Sequence, residues 1–183
     1  GNILYSWNYA FDTRAFSGEE PKTIKDFFNT KKFPGKRAIY KSALTNLEIA
    51  LAADGVKMGK GGALIYRKLE AEGGLDRAMN KIKELCTDPN GGCVFWSAGA
   101  QPPELLVAGE VVMATGWNGR FFNAEVGEGA PIKQVWDGQG LDYEYYNLLM
   151  SKLVKDNNTY SGYSLNSDSP YVYPELKNTL YGS

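Results

Sequence analysis

The stretch from Val94 to Ala124, VFWSAGAQPPELLVAGEVVMATGWNGRFFNA, constrains the fold more than any other part of the chain. Two short apolar runs, Val94 to Trp96 and Glu110 to Thr115, flank a segment opened by Pro102 and Pro103. Prolines suit the first turn of a helix, where a missing N–H costs nothing, so Pro102 to Ala108 is expected to be helical. Strand, helix, strand is the βαβ unit of a parallel sheet. It ends on Trp117-Asn118-Gly119-Arg120, expected as a turn, and ligands in open α/β sheets collect beyond the carboxyl ends of strands. Trp117 offers a flat face, Asn118 a donor and an acceptor, and Arg120 a fork for a carboxylate or phosphate. The competing structural reading of the same residues is a helix N-terminus with a buried Trp117 and a solvated Arg120.

The rest of the chain extends this pattern. Gly1 to Phe11 reads as an extended strand, and Thr23 caps a short helix with Ile24, Phe27 and Phe28 on one face. The Phe33-Pro34-Gly35 turn leads into a strand at Arg37 to Tyr40. Ser42 or Thr45 caps a helix over Asn46 to Ala53, with Leu47, Ala50 and Leu51 as its buried stripe, and Gly55 stops it. Two more helices are expected, Ala63 to Ala71 with Leu64, Ile65 and Leu69 inward, and Leu75 to Leu85 with Leu75, Ala78, Met79, Ile82 and Leu85 at helical spacing. Phe121 to Val126 continues a helix, Ile132 to Trp136 alternates as a strand, and Gly138 to Gly140 is a loop. The fold class is therefore α/β, a mostly parallel sheet flanked by helices. Beyond residue 146 the pattern changes to a weak helix and a Tyr-rich tail over 147–183.

Composition removes several functions. Twenty basic and twenty-one acidic side chains give a net charge of -1, without the basic excess that nucleic acid or an anionic membrane surface attracts. No apolar run is long enough to insert in a bilayer. Histidine is absent, which excludes Ser-His, Cys-His and His-metal chemistry within the chain. Cys86 and Cys93 bracket the turn TDPNGG; a disulfide across it would indicate an oxidising compartment, and two free thiols or one reactive thiol are the alternatives. The glycine cluster GVKMGKGG at Gly55 to Gly62 has the wrong spacing for a phosphate loop and no Ser or Thr after its lysine. Glu104, Glu110, Asp137, Asp142 and Glu144 show no spacing that would place two carboxylates for acid-base work. No cofactor is implied.

Four runs carry a resemblance: TIKDFFNTKKFPGKRAI (Thr23 to Ile39), NLEIALAADGV (Asn46 to Val56), EGGLDRAMNKIKEL (Glu72 to Leu85), and the W-x-x-G-A-Q-P-P-E-L-L-x-x-G-E-V-x-M-x-x-G-W-N-G-R pattern over Trp96 to Arg120. Together they resemble the extracellular solute-binding proteins of ABC transporters, in the branch that includes the spermidine/putrescine binders. The resemblance implies a lobe of the type II periplasmic-binding-protein fold, a non-catalytic role, a periplasmic or extracellular location in a bacterium, and two partners: a small organic, polyamine-like ligand and ABC permease subunits. It further implies that this is the second lobe, entered by a hinge-crossing segment at Ile3 to Ala10, with a first lobe expected before Gly1.

Carried over residue by residue, the resemblance places the stacking tryptophan of the binders at Trp117, beside Asn118 and Arg120. The acidic pair of polyamine binders falls near Ser42 and Thr45, and a later Trp and Asp fall near Tyr143 and Tyr145, with Asp142 and Glu144 as local substitutes. Loss of the acidic pair argues for a less cationic ligand. An enzyme on the same two-lobe fold is the rival function, with Cys86 or Cys93 as its only thiol nucleophile. A ligand-sensing or interaction module is the third.

Overall fold

The computed structural model describes residues 6–43, 45–57 and 63–137, all within one compact unit spanning Ser6 to Leu141. Five strands form one sheet in the order β3-β2-β4-β1-β5. They are β1 (Trp7–Asp12), β2 (Arg37–Tyr40), β3 (Cys93–Trp96), β4 (Met113–Trp117) and β5 (Ile132–Val135). β2 pairs in parallel with both β3 and β4, whereas β1 pairs antiparallel with β4 and with β5. Four strands thus run one way and β1 runs against them, a mixed sheet rather than a uniformly parallel one.

Among the described residues the α-helices are α1 (Ile24–Phe28), α2 (Asn46–Ala53), α3 (Ala63–Glu70), α4 (Gly74–Thr87), α5 (Gln101–Val107) and α6 (Asn118–Phe122), the last running into a π turn at Asn123–Gly127. One apolar cluster joins Tyr9, Phe11, Phe27, Ile39, Ile49 and Met113; another joins Trp7, Ala10, Trp96, Leu106, Ala114 and Phe121. The βαβ unit of the opening stretch is present as β3-α5-β4, but its two strands are not neighbours, because β2 lies between them. Such crossovers are what parallel pairing requires.

The strand expected over Glu110 to Thr115 lies later, because the exit from α5 consumes the residues before it. Leu105 O accepts from both Glu110 N and Val111 N around Gly109, whose φ of +72° suits glycine. Strand β4 therefore reaches Trp117, and the expected Trp-Asn-Gly-Arg turn is a strand end joined directly to a helix start. The stripes of α3 and α4 also differ from expectation. Of the expected stripes, Ile65, Ala78 and Leu85 are buried, whereas Leu64, Leu75 and Met79 are 44%, 52% and 50% exposed. Helical spacing places several apolar residues near one face, but only packing decides how wide a stripe is covered.

A buried cation holds the loop between α1 and β2. Arg37, fully buried, donates through Nε to Phe27 O at 2.9 Å, through Nη2 to Phe33 O at 2.5 Å and through Nη1 to Gly35 O. Burial lowers its pKa from 12.5 to about 10, with the charges of Tyr9 and Asp88 opposing. Cys86 and Cys93 form a disulfide, Cα to Cα 4.7 Å, tying the end of α4 to the start of β3. The expected boundary at residue 146 lies outside the described residues.

Candidate functional site

The carboxyl ends of the parallel strands each carry an aromatic residue: Tyr40 on β2, Trp96 on β3 and Trp117 on β4. The antiparallel β1 brings its first residue, Trp7, to the same end. Sheet register sets Tyr40 opposite Trp96 and Trp7 opposite Trp117, so the four rings converge. Ring centroids are 4.7 Å apart for Tyr40–Trp96, 5.3 Å for Trp7–Tyr40 and 5.4 Å for the stacked Trp7–Trp96 pair. Trp117 meets Trp7 and Trp96 edge-on at 5.8 and 6.0 Å. Each such pair adds about 0.5–1.5 kcal/mol beyond its burial, so the cluster holds itself rigid. Trp7 and Trp96 are buried, while Tyr40 and Trp117 are half-buried. Trp96 Nε1 is buried and finds no acceptor, and a buried donor without a partner is costly.

Directly beside this cluster lies a cavity of about 10 Å³, room for one water-sized group, lined by Trp7, Asn8, Tyr9, Thr45, Thr115 and Asp137 among others. Its polar lining is unevenly satisfied. Thr115 Oγ1 donates to Ala38 O at 3.4 Å, Tyr9 Oη donates to Thr23 O at 2.8 Å, and Asp137 Oδ2 accepts from Ile24 N at 3.1 Å. Thr45 Oγ1 and Asn8 Oδ1 have no partner, although the two residues are only 2% and 6% exposed.

Thr45 occupies the N-cap of α2, and Thr45-x-x-Glu48 is a capping-box pattern. The box at Thr23-x-x-Asp26 is complete: Asp26 N donates to Thr23 Oγ1, and Thr23 N donates to Asp26 Oδ2 at 2.8 Å. At Thr45 only one half forms. Burial raises the Glu48 pKa, and hydrogen bonds from the backbone at Glu48 and Thr45 and from the Tyr66 side chain oppose the rise. The Thr45 hydroxyl makes no cap bond, and the residue holds φ at +70°, the only non-glycine with positive φ among the described residues. A cap of this kind is worth about 1 kcal/mol and a left-handed threonine costs of order 1–3 kcal/mol, so the arrangement is locally unfavourable on both counts.

The expected site residues divide. Trp117 joins the aromatic cluster. Asn118 begins α6, where its Oδ1 accepts from Ser6 N at 2.7 Å and its N–H donates to Ser6 O at 2.9 Å, so it fastens β1 to β4. Arg120 is exposed on α6, and Trp117, half-buried, stands at its N-cap. Ser42 is exposed on the loop after β2, and its carbonyl accepts from Asn46 Nδ2 at 2.6 Å, which also donates to Tyr40 O at 2.7 Å. Tyr143, Glu144 and Tyr145 lie outside the described residues. Sequence reasoning did not single out Trp7, Asn8 and Tyr40 as site residues. The available signal was an aromatic at the matching end of each of four apolar strands.

A cluster of four aromatic rings thus stands at the strand ends of a mixed α/β sheet, with unpaired buried polar groups beside it. The chain belongs to the bacterial extracellular solute-binding protein family, whose model matches residues 2–171. It is 40% identical over 148 residues to the gamma-aminobutyric acid-binding protein of Pseudomonas aeruginosa, an alignment covering 80% of this chain and 39% of that protein. Among solved structures, the periplasmic binding protein MotA of A. tumefaciens B6 in complex with glucopine matches at 34% identity and a TM-score of 0.62, over 71% of this chain and 38% of that one. The Atu4243 GABA receptor matches at 34% identity and a TM-score of 0.58, over 73% and 38% respectively. The chain thus spans less than half the length of each of these three relatives.

Proposed function

We propose that this chain is a lobe of the substrate-binding component of an ABC importer, working in the periplasm or outside the cell and delivering a small organic amine to permease subunits. The observation that carries the reading is the four-ring cluster of Trp7, Tyr40, Trp96 and Trp117 at the strand ends, where an open α/β sheet holds its ligands. Tyr40 and Trp117, half-buried in that cluster, supply aromatic surface for an alkyl-ammonium chain. The polyamine subtype has weaker support, since Ser42 and Thr45 stand where that branch carries acids. A solute with one ammonium and one acceptor group, of the gamma-aminobutyric acid kind bound by two of the relatives, fits better. A second lobe closing over this wall would complete the site, with the ligand favouring the shut form by its contacts to both. The rival enzyme reading loses its thiol nucleophile, because Cys86 and Cys93 are joined.

Isothermal titration of the complete protein with 4-aminobutanoate, putrescine, spermidine and the common amino acids tests the assignment. Binding to at least one, abolished by Trp117→Ala, is expected. Turnover of a substrate without saturable binding would defeat it.

A further inference from the structure

We propose that the layer of helices α1 to α4 is a docking face for a bilayer surface carrying anionic phospholipid. The proposal rests on where the fold puts charge and stands apart from the solute-binding reading above.

A net charge of -1 conceals a division within the chain. Residues 22–88 hold fourteen of the twenty basic side chains and eight of the twenty-one acidic ones, whereas residues 89–137 hold two basic and five acidic. The fold turns this division along the sequence into one in space. Phe27 of α1, Ile49 of α2 and Leu85 of α4 share an apolar cluster with Phe11 and Met113. Leu106 of α5 and Phe121 of α6 share the other cluster, with Ala10 and Ala114, the strand neighbours of Phe11 and Met113. Successive residues of a strand point to opposite faces, so the sheet lies between the two sets of helices. Helix α3 joins the first set through Ile65, which packs with residues of α2 and α4. One side of the sheet is therefore net basic and the other net acidic. The two nearly cancel over the molecule, but a charged surface within a Debye length meets only the nearer side.

Two further observations say which anion the basic side fits. Apolar side chains stand exposed among its charges. On α4 Leu75, Met79 and Lys83 follow one another at one-turn intervals, and on α3 Leu64 is followed one turn later by Arg67 and Lys68. Exposed leucine and methionine beside lysine and arginine suit a lipid interface, where cations meet headgroups and apolar groups reach below them. A small anion or an acidic protein surface offers these apolar groups no partner. The same side carries an open groove of about 450 Å³, in which Lys25, Lys31 and Lys81 stand with the apolar Phe28, Ala53 and Leu85. None of the three lysines is in an ion pair among the described residues. Glu84 and Asp88 also line the groove, but Asp88 already accepts from Thr30 Oγ1 at 2.8 Å and from Asn90 N at 2.7 Å. Three cations beside apolar surface match a phosphodiester headgroup, whose charge the lysines take as point charges.

The test is co-sedimentation of the complete protein with vesicles of phosphatidylcholine alone and of phosphatidylcholine with about one third phosphatidylglycerol, at low and high salt. It is run on the parent, Lys25→Gln/Lys31→Gln/Lys81→Gln, Met79→Ser and Arg120→Gln. We expect the parent to partition about tenfold more onto the anionic vesicles at low salt, and to be released as salt screens exposed charge. The triple lysine variant should lose roughly tenfold in partitioning. Met79→Ser should weaken it at both salt concentrations, because apolar contact is not screened, and Arg120→Gln, on the acidic side, should leave it unchanged. The lipid and salt arms use the parent alone, so they decide the matter even where a variant misfolds. Equal partitioning onto the two kinds of vesicle, or none onto the anionic ones at low salt, overturns the proposal. Binding to poly-glutamate without binding to vesicles assigns the face to an acidic protein and overturns it as well. Titration of the triple lysine variant with 4-aminobutanoate should give the parent affinity. Vesicle binding without any solute binding defeats only the solute-binding reading.

Discussion

Gly99 lies flat against the ring of Trp117: a Cβ on residue 99 would stand 2.1 Å from Cζ3 of that indole and 2.4 Å from Cε3. The loop between β3 and α5 therefore sets the position of the ring at the end of β4. Trp117 cannot move far the other way, because Trp7 and Trp96 meet it edge-on.

Gly99→Ala should consequently displace Trp117 without unfolding the protein. Inserting a methyl into a packed contact costs about 1–3 kcal/mol. We expect solute affinity to fall roughly tenfold, as a loss of that size in positioning implies, together with a changed near-ultraviolet circular dichroism band from the tryptophan cluster. Parent-like affinity and spectrum would show that the ring is not held by this contact.

The disulfide lies at the opposite end of β3 from the aromatic wall, so its removal should affect stability and not binding. Closing the short loop from Cys86 to Cys93, seven residues apart, is worth about 2.5 kcal/mol in the chain-entropy description. Reduction, or a Cys86→Ser/Cys93→Ser variant, should lower the melting temperature by roughly 5–10 °C. Ligand titration of the reduced protein at 20 °C should give the parent affinity, and a large loss there would mean that the bridge reaches the site.

Arg37 satisfies the carbonyls of Phe27, Phe33 and Gly35 with one planar fork. A lysine carries a single ammonium and cannot reach all three, leaving buried carbonyls unpaired. Arg37→Lys should therefore lose roughly 2–3 kcal/mol in denaturant unfolding. A midpoint within error of the parent would contradict this account of the α1–β2 loop.

Two carboxyls should give opposite pH dependence. Burial raises the Glu48 pKa above 4.5, so the folded state holds that proton more tightly than the unfolded chain does. Its contribution is greatest below pH 4.5 and is lost as pH rises through the folded value. Burial alone would raise Asp26 as well, but hydrogen bonds from the backbone at Lys22 and Thr23 outweigh it and hold the pKa below 3.8. Its contribution is present above pH 3.8 and disappears as pH falls through the folded value. Glu48→Gln should therefore gain stability relative to the parent as pH rises above 4.5, and Asp26→Asn should lose its deficit only in strong acid. Parallel stability–pH curves for Glu48→Gln and the parent would remove the assignment to Glu48.

The α/β class and most elements from β1 to β5 were legible in the residues, because periodicity, prolines, glycines and caps act locally; the start of α6 at Asn118, expected as a turn, was not, and the residues left the pairing of Cys86 with Cys93 as one of several alternatives. The boundary of β4 was not legible either, because the way Leu105 O captures two N–H groups after α5 is settled by the exit geometry of a folded helix. Thr23 and Thr45 make the same point at the site. Both begin a capping pattern that the sequence states plainly, yet only the first is completed. The sequence by itself determined which segments become helices and strands and that an α/β sheet results. Only the tertiary structure decided that β1 enters against the other strands and brings Trp7 to Tyr40, Trp96 and Trp117. The tertiary structure also left the Thr45 hydroxyl without a partner. Strand order and side-chain encounter depend on contacts between residues more than a hundred positions apart, such as Asn8 and Gln134, and local propensity carries no information about those.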